Sequence, residues 1–388
     1  MKGPARGWRA TRAALVGTLA GAAVLAQAPA PAADAARELF AGAEGDCVQP
    51  QLAVRADGAL ALAFAMPGRA VRVAVRLPDA ADWQEPRTVV ASKDLAAGMH
   101  RGPRVAWAGA ALLVSCIEAR FDAATKTMHG NSDLLVRRST DLGATWTQPV
   151  TVNGVHGSAA EGLHALAAAG DRVAVVWLDP RGEPKGPKVW CAWSRDGGRT
   201  FGADFVAHAT PAGGICPCCH PSLAFGADGN AVAMWRDAIE GNRDLWCVAL
   251  GDGKTLGEPA PAGTGHWRLE ACPMDGGGLG VAGDGRAVTV WRRENSVFWT
   301  CGGAERQLGE GRNPALAVRG QRAFAAWERA GDIVGAVLDL DSKAAAAPVV
   351  SALGAGAFPC VAALPDGRFV VAAERRTAAG CRIVLWER

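Results

Sequence analysis

Short apolar runs recur along this chain, each following a turn rich in glycine and aspartate. Ala231–Arg236 (AVAMWR) and Ala287–Arg293 (AVTVWRR) are typical, and they read as strands. Beyond the N-terminal region no stretch keeps a helical period of apolar positions. The runs follow a repeated order: a Pro-x-Leu-Ala-Val-like segment, a turn, then an apolar run. The repeats begin at Pro50, Pro103, His164, Pro221, Gly277, Pro314 and Pro359. Their turns fall at Asp57-Gly58, Gly109, Gly170-Asp171, Asp228-Gly229, Asp284-Gly285, Gly320 and Asp366-Gly367. Several of the runs that follow end in tryptophan, at Trp177, Trp235, Trp291 and Trp327.

Successive repeats are 37 to 61 residues apart, which accommodates four strands each. An array of four-stranded antiparallel units predicts an all-β fold, a β-propeller of seven blades. Six blades is the alternative if the two short C-terminal repeats pack otherwise. The last repeat supplies only three strands, ending with Cys381–Trp386. The pattern therefore predicts that a segment near Glu38–Ala41 closes the ring as its fourth strand.

The first 33 residues read differently. Lys2, Arg6, Arg9 and Arg12 precede an apolar run from Ala13 to Ala26 and a zone of small residues and prolines. This is the pattern of a secretory leader cleaved near Ala32 or Ala33. The expected mature protein is one propeller domain, 34–388, secreted or periplasmic, without a membrane span and monomeric. The full chain carries 41 Lys+Arg and 38 Asp+Glu; removing the four basic residues of the leader brings a net charge of +3 to −1. No general affinity for nucleic acid follows. An exported chain tolerates disulfides, but eleven cysteines is an odd number, so at least one is free, ligated or paired outside the chain.

Two segments sharpen the fold. Ser139–Trp146 and Ser194–Phe201 both match Ser-x-Asp-x-Gly-x-Thr-Trp/Phe at equivalent places in consecutive repeats, with a degenerate third at Gly251–Thr255. The aspartate suits a turn whose amides it accepts, and glycine suits its left-handed backbone. These segments resemble the Asp box of the sialidase (neuraminidase) superfamily. The resemblance implies a sialidase-like propeller whose boxes join the third and fourth strands of a blade, away from the ligand. It further implies glycoside hydrolysis with a tyrosine nucleophile, a partner Glu, an Asp acid/base and three carboxylate-gripping arginines. This chain contains no tyrosine, so any hydrolase here needs another nucleophile. The segment Gly102-Pro103-Arg104-Val105 only loosely echoes the superfamily's Arg-Ile-Pro motif.

In a propeller, the segments entering each first strand and leaving each second strand share one face. That face collects the candidate chemistry. His100, Arg101, His164, Arg181, Arg236, Arg292 and Arg312 are candidates for holding a glycan or small anionic ligand through bidentate hydrogen bonds. The alternative is a network of Arg–carboxylate pairs tying blades together. Glu161, Asp237 and Asp275 are the carboxylates for an acid/base pair, with loop capping as the alternative. Cys216, Cys218, Cys219 and His220, with Cys272 entering the next blade, offer soft ligands for Cu or Zn. The alternative is disulfide stapling, for example Cys219 with Cys272. His100 and His164, entering adjacent blades, are expected to face one another; His129, His156, His208 and His266 are expected at the surface. Three functions compete: a glycan hydrolase with an altered nucleophile, a non-catalytic scaffold binding anionic glycans, and an exported metal-binding protein.

Overall fold

Seven four-stranded antiparallel sheets form the protein, and within six of them each strand pairs with its neighbour in sequence. The computed structural model describes residues 36–40, 45–119, 132–210, 214–341 and 347–388. The leader, Ala41 and His129 lie outside the described residues. Blades 1 to 6 span 48–91, 104–151, 164–208, 222–261, 278–310 and 312–355. Blade 7 spans 357–387 and takes its fourth strand from the other end of the chain. There Arg37–Leu39 pairs antiparallel with Gly380–Glu387, placing Arg37 opposite Leu385 and Leu39 opposite Ile383. The first strands of consecutive blades lie side by side around the ring, blade 7 returning to blade 1. The fold is a closed seven-bladed propeller, and the six-bladed alternative is excluded.

Second strands are buried on both faces between neighbouring blades. This explains why they read as continuous apolar runs rather than as alternating ones. In Leu60–Met66 (LALAFAM) every residue is buried. Fourth strands line the outside of the ring, and Lys254–Pro261 is accordingly polar and largely exposed. The tryptophans that end second strands are anchored by hydrogen bonds as well as by burial. The Trp177 indole donates to Asp179 (3.3 Å), that of Trp235 to Asp237 (2.9 Å) and that of Trp327 to the Glu310 carbonyl (2.9 Å).

The Ser-x-Asp turns follow the third strands of blades 2 and 3. In the first, Asp141 Oδ1 accepts from the Ser139 hydroxyl (2.7 Å) and the Thr145 amide (2.9 Å). The Thr145 hydroxyl donates to Asp141 Oδ2 (2.6 Å). Asp196 makes the same bonds with Ser194 and Thr200. The side chain thus replaces the backbone partners that the turn lacks.

Candidate functional site

The mouth of the central channel is built from the segments that enter the first strands. Several of them place a non-glycine residue in the left-handed region: Gln49, His100, Glu161, Met274, Asn313 and Phe358 all have φ between 49° and 67°. Strain of this kind persists only where neighbours hold it, and at Gln49, Asn313 and Phe358 carboxylates do. Glu374 accepts from the Gln49 amide (2.7 Å), Glu328 from that of Phe358 (2.6 Å), and Asp275 Oδ2 from that of Asn313 (2.7 Å). Each bond ties one blade to the next. Asp275, fully buried, is therefore a cap on a neighbouring backbone, while its Oδ1 is buried without a partner.

The other proposed acid/base residues are also engaged. Asp237 accepts from the Thr210 hydroxyl (3.1 Å) and the Trp235 indole, and burial raises its carboxyl to about 6. Glu161 pairs with Arg101 (3.0 Å). Each of the three is held by a different blade's framework.

His100 occupies the centre of the mouth. Its Nε2 meets Asn313 Oδ1 at 2.9 Å, its ring stacks on His220 with centroids 4.4 Å apart, and Phe358 packs edge-on against it. Its ring partner is thus His220 and not His164. The His164 ring is buried against Ser115 (2.8 Å) in blade 2, with Nδ1 unpartnered. Burial pushes all three imidazoles down, so they are neutral at pH 7. His156 and His266 are exposed beside Asp133 and Asp244, whereas His208 is half-buried and stacked on Trp235.

The five arginines singled out by sequence do not converge. Arg181 pairs with Asp179 and Asp204 and lies 3.6 Å over the Trp190 ring. Arg236, 1% exposed, donates to the carbonyls of Asp275, Arg243 and Arg292, clamping blade 4 to blade 5. Arg292 and Arg312 do meet, lining an open cleft of about 440 Å³ between blades 5 and 6, where Arg312 pairs with Glu328 (2.9 Å).

Arg104, at the start of the first strand of blade 2, is the residue that sequence reasoning passed over. Its guanidinium donates to the carbonyls of Pro103 (2.9 Å) and His100 (2.8 Å) and has no carboxylate partner among the described residues. It is 8% exposed, and burial lowers it to about 10. It lines a channel cavity of about 180 Å³ together with His100, His220, Gln51, Ser222 and Cys360. The sequence signal was its place in Gly102-Pro103-Arg104-Val105.

Beside the mouth lies the cysteine group. Cys216, Cys218 and Cys219 are buried, and their sulfurs all lie within 4.8 Å of one another. Cys216 Sγ is 3.4 Å from Cys218 Sγ and 3.7 Å from Cys219 Sγ. All eleven cysteines are thiols in this structure. The donated thiols of Cys218 and Cys219 drive Cys216 low, and Cys218 is correspondingly driven high. From blade 5, Met274 packs against the trio, and exposed Cys272 approaches Cys218. His220 does not join it: its Nε2 faces the Gly277 carbonyl (3.1 Å).

No protein-family model and no curated protein sequence matches this chain. Solved structures do, at low identity. A protein of unknown function from Dyadobacter fermentans aligns at TM-score 0.55 and 14% identity, over 92% of this chain and 98% of that one. An ulvan lyase of a new polysaccharide lyase family aligns at TM-score 0.53 and 11% identity, over 88% and 94%. A leech intramolecular trans-sialidase aligns at TM-score 0.50 and 10% identity, over 91% and 69%. The fold is that of the sialidase-like propellers.

Proposed function

We propose that this is an exported sialidase-like propeller that binds an anionic glycan at the channel mouth, with Arg104 as its anchor for the acidic group. The observation that carries this reading is the buried guanidinium of Arg104, which has no carboxylate partner among the described residues. A charge taken from water without a counter-ion costs several kcal/mol, and a carboxylate or sulfate entering the cavity would offset that cost with a charge-assisted, bidentate pair. The surrounding groups suit a sugar: Gln51 and Ser222 offer hydrogen bonds, and neutral His100 and His220 offer ring faces. A cavity of about 180 Å³ holds one acidic monosaccharide unit. Two of the similar solved structures are a polysaccharide lyase and a trans-sialidase, which supports a glycan as the ligand. The secretory leader supports export.

The reading is of a binding protein. The chain has no tyrosine, and the three candidate carboxylates Asp275, Glu161 and Asp237 are each engaged by a neighbour rather than paired for two-carboxylate chemistry. The test is binding of sialic acid, glucuronic acid and sulfated oligosaccharides by calorimetry. Saturable binding that Arg104→Met abolishes would support it. Absence of binding to every acidic sugar would overturn it, and release of sugar that Asp275→Ala abolishes would replace it with a hydrolase.

A further inference from the structure

The trio of thiols on the turn before blade 4 is not used by the anion-binding reading. Pro217 bends the chain so that residues 216, 218 and 219 present their sulfurs to one point, within 4.8 Å of one another. The turn is fixed from both sides. The Cys216 amide donates to the Arg236 carbonyl (2.8 Å), and the Asp275 amide points at Cys219 Sγ (3.4 Å). Thiolate–metal bonds of about 2.3 Å set sulfurs about 3.8–4.0 Å apart in tetrahedral or trigonal sites. The distances of 3.4 and 3.7 Å from Cys216 therefore need to open by only a few tenths of an ångström.

The turn is also tied to a cationic residue. The Arg236 carbonyl accepts the Cys216 amide, and the Arg236 guanidinium donates to the carbonyl of Asp275 (3.1 Å), the residue whose amide points at Cys219 Sγ. Arg236 has no carboxylate partner among the described residues.

We infer that Cys216, Cys218 and Cys219 bind one Cu(I) ion as a trithiolate. The ligand set is wholly soft, which favours Cu(I) over harder cations. Zinc in a closed site takes four ligands, whereas the cluster of potential ligand atoms within 4.8 Å of one another among the described residues is the three cysteines alone, without exposed Cys272 and without His220, which is held by Gly277. The neighbour packed against the sulfurs is the thioether of Met274, itself a soft group. Cys216 is fully buried, Cys219 is 2% and Cys218 7% exposed, so water is kept from the ion. Loading releases to solvent the protons of those thiols that are not already ionised. The inference is independent of the anion site, since Arg104 lies in the channel and contributes nothing to the trio.

The experiment loads the full mature protein with Cu(I) anaerobically, in competition with bathocuproine disulfonate. One Cu(I) per chain is expected, with a thiolate-to-copper charge-transfer band and a rise in the unfolding temperature of the wild-type protein. Cys216→Ser and Cys218→Ser should each weaken binding at least 100-fold, and Cys272→Ser should leave it within threefold. Failure of the wild-type protein to take up Cu(I) would overturn the inference, as would a disulfide within the trio by thiol titration. So would zinc held in preference to Cu(I) and lost on Cys272→Ser, which identifies a tetrathiolate. The wild-type temperature shift needs no variant, so a misfolded mutant does not shield the inference.

Discussion

His100 Nε2 lies 2.9 Å from Asn313 Oδ1, joining blade 2 to blade 6 across the mouth of the channel. Asn313 Nδ2 donates to Glu328 (2.7 Å), so its Oδ1 is the acceptor and the His100 ring is protonated on Nε2. One amide thereby fixes a tautomer and satisfies two buried partners.

Asn313→Ala strands the His100 Nε2–H, while Glu328 loses one donor and keeps the Phe358 amide and Arg312. An unsatisfied buried group costs about 1–3 kcal/mol, and the variant should lose about that much in thermal unfolding. A loss below about 1 kcal/mol would show that water or a rearranged ring replaces the amide.

Asp237 sets a pH dependence. Burial raises its carboxyl to about 6, against about 3.9 in an unfolded chain. The folded state holds this proton more tightly, so the contribution is complete below about pH 4 and is lost as pH rises through 6. The loss is about 3 kcal/mol. Asp237→Asn, which keeps an acceptor for Thr210 and Trp235, should remove it. Unfolding midpoints of both proteins from pH 4 to 7 should diverge in the variant's favour.

Arg104→Met separates anchor from staple. If Arg104 waits for an anion, the variant should keep or gain stability, because a buried unpaired charge is removed. Sulfate should raise the unfolding temperature of the wild type and not that of the variant. A loss above about 3 kcal/mol with no anion response in either protein would make Arg104 a staple through its carbonyl contacts.

Gly276→Ala tests the join between blades 4 and 5. An added Cβ would sit 1.9 Å from the His220 carbonyl oxygen. Backbone must move, and the expected cost is about 3 kcal/mol or more. Gly303→Ala, where a Cβ meets open space, should change little; equal melting of the two variants would contradict the packing at His220.

The scaffold was legible because its signals are local. Each second strand announces itself as an apolar run, and the missing strand of the last repeat pointed to Glu38, which pairs with Val384. The channel mouth was less legible. His100 and Asn313 are 213 residues apart, and nothing near either names the other. Sequence also weighted all arginines alike, whereas the distinction that matters is whether a carboxylate from another blade reaches them. Arg181 has two; Arg104 and Arg236 have none among the described residues. The cysteine spacing was plain, but the departure of His220 from that group depends on the Gly277 carbonyl, supplied 57 residues later.

The pairing of Arg37–Leu39 with Gly380–Glu387 also orders events in time. Blades 1 to 6 each complete themselves from contiguous chain, so they can form as the polypeptide emerges. Blade 7 cannot, because its edge strand is made first and its partner last. Until then Leu39 and the flanks of blades 1 and 7 present open strand edges and apolar surface, the state most prone to pairing with another chain. Slowing the arrival of the C-terminal strand should therefore raise aggregation without altering the finished protein.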